Sequence, residues 1–247
     1  MLKFDYIAAP DLLAGKVVLV SGAGDGIGKA VAVAAAGVGA TTVLLGRTVR
    51  KLEQVYDDIT AAGGDAAIYP LDMLGATADD YDNLTATLET EFGTLHGLVN
   101  NAGLLGNLSP VEHYDLEIWA KVMKVNVTAT FLLTRACLTL MKQSGGASII
   151  FTSSGVGRRG RAYWGAYAVS KFATEGMMQV VADETAQSAS VRANCINPGA
   201  VRTHMRAAAY PAENPDTLLR PDEVTPPYLY LLGADSADIN GQSIDAQ

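Results

Sequence analysis

Cysteine is nearly missing from this chain: Cys137 and Cys195 are the only two among 247 residues. They stand far apart in apolar runs and read as reduced core residues rather than as a disulfide, since the chain shows no other secretory sign. Histidine is almost as scarce. His96, His113 and His204 show no metal-ligand spacing, and no metal is assigned. Charged residues are sparse at 18%, and 18 Lys and Arg stand against 26 Asp and Glu for a net charge of −8. With no basic block, that balance argues against nucleic acid as a partner. No apolar run approaches the ~20 residues of a membrane span, so no membrane partner is expected. Residues 1–10 include Lys3 and Asp5 and have no long apolar core, which does not fit a signal peptide. A cytoplasmic location is the resulting expectation.

What the chain does have is apolar mass in a regular order. Hydrophobic residues make up 49% of it, enough for a large core. Short apolar runs at 17–21, 42–45, 66–71, 97–100, 148–152, 191–196 and 243–245 alternate with helical stretches at 27–38, 50–61, 78–92, 117–141 and 167–187. Strands alternating with helices predict an α/β fold with a parallel sheet. The strand runs are continuously apolar, as in a sheet covered on both faces. No repeat, low-complexity tract or linker divides the chain, so 1–247 reads as a single domain. Residues 203–221, rich in proline, are the one long irregular segment and the candidate substrate lid.

Two local patterns carry chemistry. The run 16–21 leads directly into Gly22-Ala-Gly-Asp25-Gly26-Ile27-Gly28, and an alanine-rich helical stretch follows. Strand, glycine turn and helix start in that order suit a dinucleotide pyrophosphate, because small residues admit the phosphates and the helix N-terminus offers free N–H groups. The second pattern is Tyr167 four residues before Lys171, with Ser154 thirteen residues upstream of the tyrosine. Positions i and i+4 share a helix face, so the ammonium lies beside the phenol and favours its ionised form. That tuning suits general acid–base work near neutral pH. Ser154 ends the apolar run 148–152 in a polar turn, where its hydroxyl would meet a substrate oxygen. Ser153 and Tyr163 are rivals to Ser154 and Tyr167, although the residue four beyond Tyr163 is Tyr167 and not a lysine.

With both patterns present, the chain resembles the short-chain dehydrogenase/reductase family, in its single-domain branch, over residues 12–242. Local strings at 44–47, 101–106, 172–179 and 245–247 resemble its YciK-type bacterial oxidoreductases. The resemblance implies a Rossmann-type doubly wound parallel sheet of about seven strands with helices on both faces. It implies a cofactor turn at Gly22, Gly26 and Gly28, with Asp25 and Ile27 inside it. Asp72 would contact the adenine, and Asn101, Ala102 and Gly103 after Asn100 would lie near the adenosine ribose. Pro198, Gly199 and Thr203 would border the nicotinamide. Asn126, Ser154, Tyr167 and Lys171 would form the catalytic tetrad. In it Tyr167 donates the proton, Lys171 also binds the nicotinamide ribose, and Asn126 holds a water leading to solvent.

The cofactor expectation is NADP(H) over NAD(H). Gly46 stands where NAD-preferring relatives carry an acid, and Arg47 after it can grip a 2′-phosphate. Asp25 departs from the pattern, since many NADP-binding relatives place a basic residue there. Arg158, Arg159 and Arg161, between the serine and the tyrosine, would draw an anionic substrate or else lie in a solvated loop or subunit contact. Trp164 beside them lines the pocket or packs on the sheet. The expected activity is hydride transfer between the nicotinamide and a carbonyl or secondary alcohol. The alternatives are a redox sensor that binds NADP(H) without turnover, and a dehydratase or epimerase on the same fold. The helices 117–141 and 167–187 carry surplus apolar residues, and relatives pair subunits through them, so a homodimer or homotetramer is expected.

Overall fold

Strand residues alternate between two covered faces, and this alternation builds the whole architecture. The computed structural model describes residues 4–187 and 190–247. Among them, β1 (Val17–Ser21), β2 (Thr41–Gly46), β3 (Asp65–Pro70), β4 (Gly97–Asn100), β5 (Ala147–Thr152), β6 (Val191–Asn197) and β7 (Ser243–Asp245) form one sheet in the order β3-β2-β1-β4-β5-β6-β7. Every pairing is parallel, with Val18 opposite both Thr42 and Gly97, and Ile149 opposite both Leu98 and Ala193. The helices are α1 (Gly26–Gly37), α2 (Val49–Ala61), α3 (Ala78–Phe92), α4 (Leu116–Met123), α5 (Thr130–Gln143), α6 (Gly165–Ala186), α7 (His204–Ala209) and α8 (Pro226–Leu232).

Val17 and Leu19 of β1 point into one core with Tyr81 and Leu84 of α3, Leu133 of α5 and Met178 of α6. Val18 and Val20 point the other way, into a core with Val31 of α1, Leu52 of α2 and Tyr228 of α8. A strand buried on both sides needs apolar residues at every position, which explains the unbroken apolar runs. The order reverses at β1, which has β2 on one side and β4 on the other. In open α/β sheets the crevice at such a switch point, beyond the strand C-termini, is where ligands bind. Cys137 and Cys195 are both free and buried. No helix among the described residues is long and apolar enough to cross a membrane.

Two expected elements differ in form. The stretch 117–141 is α4 and α5 joined by a π-helical turn at Lys124–Ala129. A π turn carries an extra residue and shifts the helix stripe, and here it turns Asn126 inward. The segment 203–221 is not wholly irregular. It contains α7, capped by Thr203 Oγ1, which accepts from the Arg206 amide at 3.1 Å, and a short 3₁₀ turn at Pro215–Thr217. A side-chain cap satisfies a free helix N–H that a six-residue helix cannot pair internally.

Candidate active site

The glycine turn leaves β1 above the switch point. Gly22 adopts φ +70°, and a Cβ on Gly28 would overlap the Gly22 carbonyl oxygen, so α1 starts in direct contact with the turn. Asp25 caps α1 by accepting from the Gly26 amide at 2.7 Å. Its carboxylate also meets Lys51 Nζ of α2 at 2.6 Å and His204 Nδ1 at the start of α7 at 3.3 Å. The Lys51 hydrogen bond is the main reason the Asp25 carboxyl titrates below its usual range. The acid that departs from the NADP pattern is therefore neutralised in place.

Two of the hollows that meet at this turn form a cleft. One, of 310 Å³, is walled by Gly22, Asp25, Gly26, Ile27, Asn101, Ala102 and Gly103 at one end. Ser154, Tyr167, Lys171, Pro198, Gly199 and Thr203 close its other end. The second, of 290 Å³, shares Gly22, Asp25, Ala102 and Gly103 and continues past Gly46, Arg47, Lys51 and Asp72. Together they make one cleft along the C-terminal ends of β1, β2, β4 and β5, and it collects the sequence-selected residues except two. Gly28 lies buried beneath the turn. Asn126 lies behind the wall: Oδ1 accepts from the Leu104 amide at 2.7 Å, and Nδ2 donates to the Leu104 carbonyl at 2.9 Å and to Ser170 Oγ at 3.0 Å. Its amide thereby fixes the strand-end segment after Gly103.

The Asn100–Gly103 segment is tied to β1 as well. Ser21 Oγ accepts from the amides of Asn101 at 3.0 Å and Ala102 at 3.1 Å, and the Asn101 side chain donates to the Ser21 carbonyl at 3.2 Å. Both strands that flank the switch point thus end in a locked position.

At the deep end, Tyr167 and Lys171 share a stripe of α6 with Nζ 5.6 Å from the phenol ring centre. Lys171 Nζ donates to the Thr152 carbonyl at 2.6 Å. Ser154 and Tyr167 stand in the same cavity wall. Burial pushes Tyr167 up to about 12, and the Ser154 hydroxyl offsets only part of that. Burial likewise takes Lys171 down to about 8. The sequence led us to expect a phenol lowered by the lysine; in the protein alone, desolvation dominates its titration, so Tyr167 rests neutral.

The rivals are separated by geometry. Ser153 Oγ is engaged with Glu175 Oε1 at 2.5 Å, which leaves the Ser154 hydroxyl for the cavity. Tyr163 is exposed, at φ +73°, and is absent from the cleft walls. Trp164 lines the cavity, its ring 5.8 Å from Tyr167 and 6.0 Å from Tyr210. The three arginines do not act together: Arg158 turns to Asp245 at 2.9 Å, and Arg161 donates to the Tyr210 hydroxyl at 2.6 Å. Arg206 of α7 stacks 3.9 Å from the Tyr210 ring centre while its Nε and Nη2 each donate to Glu213 at 2.6 Å. The 203–221 segment is therefore seated on Trp164 by an aromatic and cationic cluster.

The family model for short chain dehydrogenases matches residues 16–214. The chain belongs to the short-chain dehydrogenase family. This short-chain dehydrogenase is 48% identical over 243 residues to the oxidoreductase YciK of Escherichia coli K12, covering 98% of this chain and 96% of that one. A short-chain dehydrogenase structure from Pseudomonas syringae shares 55% identity at a TM-score of 0.95, covering 99% of this chain and 100% of the other. One from Shigella flexneri 2a, solved in complex with NADP, shares 48% identity at a TM-score of 0.94, with 97% and 100% covered. Within this dehydrogenase, sequence reasoning missed Lys51 and Glu175. Glu175 had a readable signal, four residues beyond Lys171 on the same stripe. Lys51 had none, because its proximity to Asp25 arises from the packing of α2 beside the turn.

Proposed function

We propose that this dehydrogenase uses NADP(H) to interconvert a carbonyl and a secondary alcohol, with Tyr167 as the acid–base residue. The observation that carries the reading is that Ser154, Tyr167 and Lys171 together wall one end of a cleft whose other end presents Arg47 and Lys51. When bound, the dinucleotide supplies the hydride. The chain does the rest. Ser154 donates to the substrate oxygen and Tyr167 hands it a proton in reduction or accepts one in oxidation. Lys171, held on the Thr152 carbonyl, places a positive charge beside the phenol. Asn126 steadies the wall behind them.

The cradle fits a dinucleotide on its own geometry. The turn approaches so closely that side chains at Gly22 and Gly28 are excluded, which leaves room and free amides for phosphates at the start of α1. At the far end, Arg47 and Lys51 provide two cations for a 2′-phosphate, and no acid stands at Gly46 to repel one. The NADP-bound Shigella relative supports the same choice. The substrate end is walled by Leu105, Trp164, Val201, Met205 and Ala209, which suits an apolar body attached to the reacting carbon.

The test follows NADPH absorbance against a panel of apolar ketones, aldehydes and diketones, with Tyr167→Phe in parallel. We expect turnover to fall by roughly a hundredfold or more while NADPH affinity stays within about twofold, since only the transferable proton is lost. A variant that keeps above about a tenth of the wild-type rate overturns the role of Tyr167. A wild type that binds NADPH and turns over nothing in the panel favours the sensor reading.

A further inference from the structure

Among the buried charged groups, Glu175 is the one that the acid–base chemistry above leaves unused. It is 8% exposed, midway along α6, one helical turn beyond Lys171 and two beyond Tyr167. A carboxylate is kept in such a place only when its partners satisfy it. Its Oε1 accepts from Ser153 Oγ at 2.5 Å and Ser243 Oγ at 2.9 Å, and Arg158 Nε lies 3.6 Å away. Arg158 reaches on to Asp245 at 2.9 Å, and Asp245 accepts from Asn197 at 2.8 Å, the residue before Pro198 in the cavity wall. The turn that delivers Arg158 is pressed onto α6, since a Cβ on Gly157 would stand 2.8 Å from the Lys171 carbonyl oxygen. One carboxylate thus joins the ends of β5, β6 and β7 to the catalytic helix.

We propose that Glu175 is a positioning residue for the acid–base site, locking Ser153 so that Ser154 faces the cavity and keeping Lys171 charged from one turn away, with Arg158 competing for the same carboxylate. This rests on the reading of Lys171 as the cation beside the phenol. The groups that face Lys171 are Tyr167 and Glu175 on its own helix, the Thr152 carbonyl on β5 and Cys195 on β6. Tyr228 of α8 touches Thr152 from behind at 3.0 Å, and Asp245 is screened by Arg158. Burial drives Lys171 down, while Cys195 and Glu175 oppose it. Burial also pushes the Cys195 thiol far up, so it is neutral wherever Lys171 titrates and contributes no charge there. Among the described residues facing Lys171, Glu175 is the carboxylate left to hold the ammonium. Arg158 pairs with this carboxylate directly and Lys171 lies one helical turn from it, so losing Glu175 and losing Arg158 must move Lys171 in opposite directions. A purely structural role has no such sign reversal.

The experiment is a pH titration of lysine ¹³Cε resonances in the full chain, with Lys171→Met assigning the signal, repeated in Glu175→Gln and Arg158→Met. Glutamine keeps an oxygen for Ser153 and removes the charge. We expect the Lys171 midpoint to fall by about one pH unit in Glu175→Gln and to rise in Arg158→Met. The pH dependence of NADPH affinity should move with it. An unchanged midpoint in folded Glu175→Gln, or a shift of the same sign in both variants, overturns the proposal. Should Glu175→Gln fail to fold, Arg158→Met decides alone, and a midpoint that does not rise counts against it. The titration needs no substrate, so a lack of turnover would count against the oxidoreductase reading and leave this result standing.

Discussion

At the scale of single residues, the site is governed by burial. Tyr167 is raised to about 12 by desolvation, so at neutral pH it carries its proton and is ready to give it up. Reduction needs that phenol; oxidation needs the phenolate. Oxidation should therefore climb from pH 7 and level off above about 8, whereas reduction should decline there, as Lys171, lowered to about 8, loses its charge. Initial rates in both directions across that range check this, and two parallel profiles would refute it. Lys171→Met should weaken NADPH binding and shift the oxidative limb to higher pH, because no cation then favours phenolate. A linkage effect goes with it. A lysine whose folded pKa lies below its unfolded value costs stability at pH below the folded value, and the cost fades as pH rises toward the unfolded one. Removing Lys171 should thus favour the melting temperature more at pH 7 than at pH 10, as thermal denaturation of both proteins would show.

Elements matter through what they bring to the cleft. The end of β2 presents Arg47, and the first turns of α2 bring Lys51 to Asp25 across the glycine turn. Arg47→Asp should reverse cofactor preference, since it removes a phosphate partner and adds a repelling charge. Lys51→Ala should weaken both cofactors, because Asp25 is then left unpaired beside the pyrophosphate, and NADP(H) by roughly tenfold more than NAD(H), the worth of one charge-assisted hydrogen bond. Titration of both cofactors against each variant checks the pair, and equal affinity of the wild type for NAD and NADP would sink the phosphate assignment. The π turn between α4 and α5 is a second element-level device. It aims the Asn126 amide at Leu104 and so holds the Gly103 wall against Lys171.

On the scale of the whole molecule, α5 and α6 each bury one side on the sheet and leave apolar side chains outside. Phe131, Val169, Phe172 and Val180 are each more than two-fifths exposed, at 50%, 44%, 47% and 57%. Exposed apolar side chains of this size are costly in water and favour a partner. A second copy of the chain paired about a two-fold axis would cover them, giving a homodimer or a tetramer. Light scattering at micromolar concentration should report such a mass, and Phe172→Glu should lower it. A monomeric wild type would refute the assembly and leave the catalytic reading intact.

Read alone, the sequence determined the parallel α/β sheet, the glycine turn and the Tyr167–Lys171 stripe. Each is a short-range pattern: β-branched runs that can only be buried strands, glycines where backbone must approach backbone, and residues one helical turn apart. The tertiary structure decided what depends on segments distant in the chain. Ser153 was separated from Ser154 by Glu175, 22 residues away. Arg158 was drawn from the substrate side to Asp245, 87 residues on. Lys51 was set against Asp25, and the phenol's resting state was fixed by burial. No local pattern records these outcomes, because the side chains are brought together or cut off from water only when the sheet and its helices close around them.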